Sequence, residues 1–127
     1  MLAKKGVRAI RREVLRTINE AALRTYPNEF VAALRAEEGV IEEILLLPGT
    51  VQGEDSGTLQ LHMLPIDYSV VGSVHSHPGN SNRPSDADLH FFEHFGYVHI
   101  ITCLPFDETS WKAYNLRGER ILLNVED

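Results

Sequence analysis

The sequence predicts a single α/β domain, a mixed β-sheet flanked by helices. Three observations carry that reading. Apolar residues recur at helical spacing near the N-terminus and again after residue 85. Between and beyond these segments lie short runs, "YSVVGSVHSH" and "YVHIITCLP", that are almost apolar on both faces, as interior strands are. The chain has 127 residues, about the modal size of one domain, and shows neither a repeat nor a linker. Residues 1–127 are therefore read as one unit.

Ile10, Val14, Ile18, Ala21 and Ala22 share one side of a helical projection, with Arg8, Arg12, Arg16 and Glu20 elsewhere around the axis. They predict a helix over 7–25, interrupted by Pro27. "NEFVAALRAEEG" predicts a second, short helix over 28–39, ending at Gly39. "VIEEILLLP" predicts a strand closed by Pro48-Gly49, followed by the polar loop "TVQGEDSG" at 50–57. "TLQLHML", residues 58–64, alternates apolar and polar positions and reads as a half-buried strand. The interior strand "YSVVGSVHSH" follows, then a Gly/Pro/Asn/Ser loop over 78–84 and a helix over 85–95. "YVHIITCLP" is the next strand. "SWKAYNLRGERILLNV" predicts a hairpin turning near Arg117-Gly118.

Composition narrows the function classes. Net charge is −6, yet six of the twelve basic side chains and only one of the eighteen acids fall in residues 1–16. The remainder is near −11 and would repel phosphate, so the basic stretch reads as a solvated helix face and nucleic acid is not expected as a partner. The longest apolar runs, such as 44–47, fall far short of the ~20 residues that span a bilayer, and the start has no apolar signal-peptide core. No membrane association is expected. A lone cysteine, Cys103, cannot build a disulfide framework and suits a reducing cytoplasm. It reads as a buried small side chain. Homo-oligomerisation is left open.

Four of the six histidines lie in "VHSHPGNSNRPSDADLHFFEHF", residues 74–95, which holds two overlapping metal patterns. His90-Phe91-Phe92-Glu93-His94 is the H-x-x-E-H of inverted zinc proteases. The alternative is His75-Ser76-His77 with Asp88. Helical projection at about 100° per residue separates them. Phe91, Phe92 and Phe95 fall within about 60° of Asp88, whereas His90, Glu93 and His94 fall about 140–240° away, on the polar face. An H-x-x-E-H centre also needs a third ligand from a later helix, and the residues after His94 read as strands. The outer set is therefore read as a solvent-facing stripe. His75 and His77, at i and i+2, project from one face of a strand, about 6–7 Å apart along the chain. The 78–84 loop allows the next helix to present Asp88 to them. Two imidazoles, a carboxylate and an open fourth position form the pattern of a catalytic zinc site, with one Zn2+ per chain. Ser85-x-x-Asp88 is also a helix capping box in its own right.

"HSHPGNSNRPSDAD" matches H-[ST]-H-P-x6-S-x2-D, and on these residues the chain resembles the JAMM (MPN+, Mov34-type) zinc metalloproteases in their minimal archaeal form. The resemblance implies an MPN/JAB1 fold, similar to cytidine deaminases, over the whole chain. It implies an upstream catalytic glutamate, for which Glu29 in "YPNEFVAAL" is the match. The match is loose, because Ala32 and Ala33–Ala36 stand where that family often has glycines. Glu20, Glu37 and Glu38 are rival carboxylates, and Glu29 alone reads as a helix N-terminal acid. Glu29 would accept the proton of a zinc-held water and pass it to a leaving amine, while Ser85 donates a hydrogen bond to the developing oxyanion. Ser76, between the ligands, would point to the other face. The implied substrates are ubiquitin-like small modifier proteins and their conjugates, cut after a C-terminal Gly-Gly. The tail would be bound beside the 50–57 loop, the 58–64 strand and the 79–83 loop. Two alternatives stay open: a hydrolase that processes a sulfur-carrier protein with the same site, and a non-catalytic MPN scaffold.

Overall fold

The computed structural model describes residues 6–46 and 69–127. Their elements run β1 (Ala9–Arg11), α1 (Arg12–Thr25), β2 (Val31–Glu37), β3 (Val40–Leu45), β4 (Val70–Ser76), α2 (Asp86–Phe92), β5 (Val98–Thr102), β6 (Trp111–Tyr114), β7 (Arg120–Ile121) and β8 (Asn124–Glu126). Among the described residues the strands form one mixed sheet in the order β7-β6-β5-β4-β2-β3-β1-β8. β4 and β5 pair in parallel through the α2 crossover, while β2 is antiparallel to both of its neighbours. The expected α/β architecture, a mixed sheet with helices packed on it, is what the chain adopts. The turn at Pro48-Gly49, the 50–57 loop and the 58–64 strand lie outside the described residues.

Each face of the sheet carries one helix. Val14, Leu15 and Ile18 of α1 pack on Ile10, Ala32, Leu34, Ile41, Val74 and Ile100. On the other face, Phe95 meets Val31 and Ala33, and Phe92 meets Ile101 and Tyr114. Asn19 ties α1 to the sheet, accepting from the Thr102 hydroxyl at 2.7 Å and donating to the Asp107 carbonyl at 3.1 Å. Gly72 lets β4 approach β5, since a Cβ there would fall on the Val98 carbonyl oxygen. Among the described residues no helix is long and apolar enough to cross a membrane.

Three expectations need correction. The helix expected over 7–25 begins at Arg12, because Ala9–Arg11 form a strand between β3 and β8. The short helix expected over 28–39 is strand β2. Its residues Val31–Leu34 and Ala36 are buried on both faces, between β3 and β4. A run apolar on both sides has no period-2 signature, and its three alanines carry a helical preference that sheet burial overrides. The ending at Gly39 is a two-residue hairpin, Glu38-Gly39, with φ of 51° and 82°, so β2 runs straight into β3. The C-terminal hairpin β6–β7 forms, but the segment after it crosses to the far edge as β8, parallel to β1.

Three arginines of the basic N-terminal segment are paired. Arg8 pairs with Glu126 at 3.0 Å, Arg11 with Glu42 at 3.2 Å, and Arg12 with Asp127 at 2.6 Å and Glu108 at 2.8 Å. The pairs to Glu126 and Asp127 join the two ends of the chain, and each of these largely solvated pairs adds little stability.

Candidate metal centre

β4 ends where the chemistry-bearing residues begin. Ser73 and His75 point to the α2 face, and Val74 and Ser76 to the α1 face, as period-2 alternation requires. His77 follows directly, its N–H donating to the Thr102 carbonyl at 2.9 Å so that the parallel ladder with β5 continues. The site therefore lies at the carboxyl end of a parallel strand pair, where open α/β sheets place ligands.

The 78–84 loop is tied at several points. Leu104 N donates to the Gly79 carbonyl at 2.9 Å, and the Tyr114 hydroxyl donates to the Asn82 carbonyl at 2.8 Å. The loop delivers Ser85 as the N-cap of α2. Its Oγ accepts from Asp88 N at 3.1 Å, and Asp88 Oδ2 accepts from Ser85 N at 2.8 Å, a reciprocal capping box. The box fixes the carboxylate. Its Oδ1 lies 3.0 Å from His75 Nε2 and its Oδ2 3.1 Å from His77 Nε2. The two rings are 5.1 Å apart between centroids. One ligand atom from each of the three residues lies within 4.8 Å of the others.

These residues fit a metal ion. His77 Nδ1 lies 3.0 Å from the Ser81 carbonyl oxygen, which can only accept, so in the neutral ring Nδ1 holds the proton and Nε2, 3.1 Å from Asp88 Oδ2, is the nitrogen left to bind a metal. His75 Nε2 is buried and, although close to Asp88, has no partner in hydrogen-bond alignment. An unmatched buried polar atom is costly, and a cation in the space shared with Asp88 and His77 removes that cost. Two imidazole nitrogens and one carboxylate oxygen suit Zn2+. The His-His-Asp group fits one such ion.

The electrostatics of the three groups are coupled. Burial pushes the Asp88 carboxyl up, but the His75 and His77 imidazoles beside it outweigh that and hold the group well below the usual carboxylate range. Burial lowers His77, yet the bonds to Asp88 and the Ser81 carbonyl leave it raised.

Glu29 reaches the site by strand register rather than from a helix terminus. Val31 pairs with His75 across the β2–β4 ladder. Phe30 then meets Ser76 in two bonds, Phe30 N to Ser76 Oγ at 2.8 Å and Ser76 N to the Phe30 carbonyl at 2.9 Å. One residue further back, Glu29 stands opposite His77. Partial burial raises its carboxyl above the ordinary value, against the pull of His75 and His77. The reading of Glu29 as a helix N-terminal acid is thus replaced, since no helix starts there.

His90 on the outer face of α2, and Glu93 and His94 in the turn that ends it, are all exposed, while Phe92 is buried and Phe91 half-buried. Cys103 is buried with its Sγ 3.4 Å from the Ser110 carbonyl, and burial pushes the thiol up. One polar pair beneath the site carried no motif: Ser73 Oγ and His99 Nδ1, 2.7 Å apart and fully buried, with the His99 ring stacked on Phe92 at 4.2 Å. Its signal in the sequence was a polar residue flanked by apolar ones within each of two interior strands.

The family model for prokaryotic homologues of the JAB domain matches residues 11–116. The chain belongs to the JAB (JAMM/MPN+) family. Over 118 residues it is 41% identical to a probable metalloprotease of Haloferax volcanii, covering 85% of this chain and 73% of that protein. A crystallised JAB1/MPN domain protein from Archaeoglobus fulgidus is 44% identical with a TM-score of 0.78, covering 94% of this chain and 99% of that one. A second solved JAMM structure, described as a metalloprotease-like zinc site in the proteasome and signalosome, is 40% identical with a TM-score of 0.76 and covers 95% of this JAB chain and 99% of its own.

Proposed function

We propose that this JAB-family protein is a zinc-dependent isopeptidase and peptidase that removes ubiquitin-like small modifier proteins from their conjugates, cutting after the modifier's C-terminal Gly-Gly. The observation that carries the reading is the convergence of His75, His77 and Asp88 with an additional carboxyl, Glu29, held beside them by strand register. A carboxyl next to a metal centre, outside its ligand set, is what water-mediated hydrolysis needs. The likeness to a probable metalloprotease and to a metalloprotease-like zinc site supports the reaction class. We place the reaction in the cytoplasm.

His75, His77 and Asp88 would hold the zinc. When bound, the ion lowers the pKa of a water to about 7 and polarises a carbonyl oxygen. Glu29 takes the proton from the attacking water and delivers it to the leaving amine, which is a lysine side chain in an isopeptide. Such general acid–base transfer is typically worth ~10²–10⁴-fold. Ser85 Oγ spends one lone pair on the Asp88 N–H, which leaves its own O–H free to donate to the developing oxyanion. The exposed residues of the 79–83 loop, fixed through Gly79 and Asn82, form one wall for the extended tail.

Incubation with a modifier–lysine conjugate and a modifier–cysteine fusion tests this directly. The lysine conjugate should be cut by wild type. Glu29→Gln should bind zinc normally and lose at least about 100-fold in turnover. Cleavage of the cysteine fusion alone would favour sulfur-carrier processing. Zinc binding without cleavage of either would make the domain a scaffold.

A further inference from the structure

His90-Phe91-Phe92-Glu93-His94 plays no part in the centre at His75, His77 and Asp88, yet the structure gives it a geometry of its own. His90 and His94 stand one helical turn apart, with ring centroids 4.8 Å apart and planes tilted by 50°. Glu93 joins them, and one ligand atom from each of the three lies within 4.8 Å of the others. The His94 Nδ1 is 2.9 Å from the His90 carbonyl oxygen. That oxygen can only accept, so Nδ1 carries the proton and Nε2 presents a lone pair. The Ser81 carbonyl orients the His77 Nδ1 in the same way.

We propose that His90, Glu93 and His94 form a second, peripheral site for a divalent transition-metal ion of borderline softness, such as zinc, nickel or copper(II). Two imidazole nitrogens and a carboxylate oxygen select such ions over magnesium and calcium, which take oxygen ligands. His90 in the last turn of α2 and His94 in the turn that follows, closed by the His94 N–H bond to the Phe91 carbonyl, put both rings on one side, so chelation needs only small side-chain rotations. One ring is already oriented by its carbonyl. The site is exposed, so water fills its remaining positions and it holds an ion more weakly than the buried centre. The two sites use opposite faces of α2 and share no ligand, so occupancy of one does not require the other.

The test is a zinc titration of dialysed, untagged protein by calorimetry, with bound metal counted by mass spectrometry. Wild type should bind one tight and one weaker equivalent per chain. His90→Ala/His94→Ala should keep the tight equivalent and lose the weaker one. His77→Ala should lose the tight equivalent and keep the weaker one. His94→Ala alone should weaken the second class at least about 10-fold, since even outer partners of metal ligands are worth that much. Exposed substitutions of this kind should leave the metal-free melting temperature unchanged, which controls for folding. Identical isotherms for wild type and the double variant would overturn the site. So would a second class that tightens as protein concentration rises, because the ion would then be shared between two copies rather than chelated by one.

Discussion

Ser76 sits between two histidines that face the metal centre, but its own side chain faces the other way. Its hydroxyl accepts the Phe30 N–H and its backbone donates to the Phe30 carbonyl, so it fixes the chain one residue from Glu29. Losing the hydroxyl leaves a buried N–H unsatisfied, at about 1–3 kcal/mol, and frees Glu29 to drift. Misplacement of a reacting group by about 1 Å can cost 10²-fold. Ser76→Ala should therefore lower kcat roughly 10- to 100-fold with KM little changed and zinc content intact. Ser76→Thr keeps the oxygen on a residue type that favours strands and should restore most of the rate. An unchanged kcat in the alanine variant, or failure of threonine to rescue it, would leave Ser76 a local strut. At this scale the spacing pointed to His75, His77 and Asp88, and the match to H-[ST]-H-P-x6-S-x2-D singled them out. The Ser76–Phe30 link was not legible, because it depends on the register of two segments 46 residues apart.

Helix α2 and strand β2 differ in how openly the sequence declares them. α2 begins with a capping box and carries a clear apolar side, so its start and the outward turn of His90 and His94 could be read in advance, while the end expected at residue 95 falls at Phe92. β2 is buried on both sides and rich in alanine, and only its partners β3 and β4 make it a strand. β8 was missed for a related reason: three residues pairing with the opposite end of the chain leave no local pattern. At α2, Ser85 has two separable jobs. As a cap its side chain is worth about 1 kcal/mol. As an oxyanion donor it would be worth about 10²–10³ in rate. Ser85→Ala keeps the backbone N–H that orients Asp88, so zinc should stay bound. The rate should fall by the larger factor while the melting temperature drops by only a few degrees. A modest rate loss that tracks the stability loss would reduce Ser85 to a cap.

Across the whole molecule, charge is plentiful but mostly exposed. The pairs of Arg8, Arg11 and Arg12 with Glu126, Glu42, Glu108 and Asp127 lie at the surface, where salt screens them, and they should hardly shape stability against pH. A buried group has more leverage. His99 has no exposed surface, and burial, with the neighbouring His75, pushes its pKa down from 6.5 to about 4. Its Nε2 is buried near the Phe92 and Gly96 carbonyls but is aligned with neither. Between these two pKa values the unfolded chain binds a proton that the folded chain does not. Stability is therefore fully present above about pH 6.5 and falls as pH drops towards 4, by up to ~3 kcal/mol, then levels off. Three other groups must be kept apart from this, among them Glu29, whose raised carboxyl contributes stability that is lost as pH rises. His77 is raised, so its contribution has the opposite sign and is lost as pH rises. Asp88 is lowered and acts below the window. Comparing His77→Ala with His77→Ala/His99→Gln, both metal-free, isolates His99, because glutamine can still bond to Ser73 but does not titrate. Denaturant unfolding from pH 7 to pH 4 should show a steep loss of stability in the first variant and a flatter profile in the second, even if the second is less stable at pH 7. Parallel profiles would mean that His99 accepts its proton in the folded protein, with Ser73 and the nearby carbonyls rearranging to hold the charge.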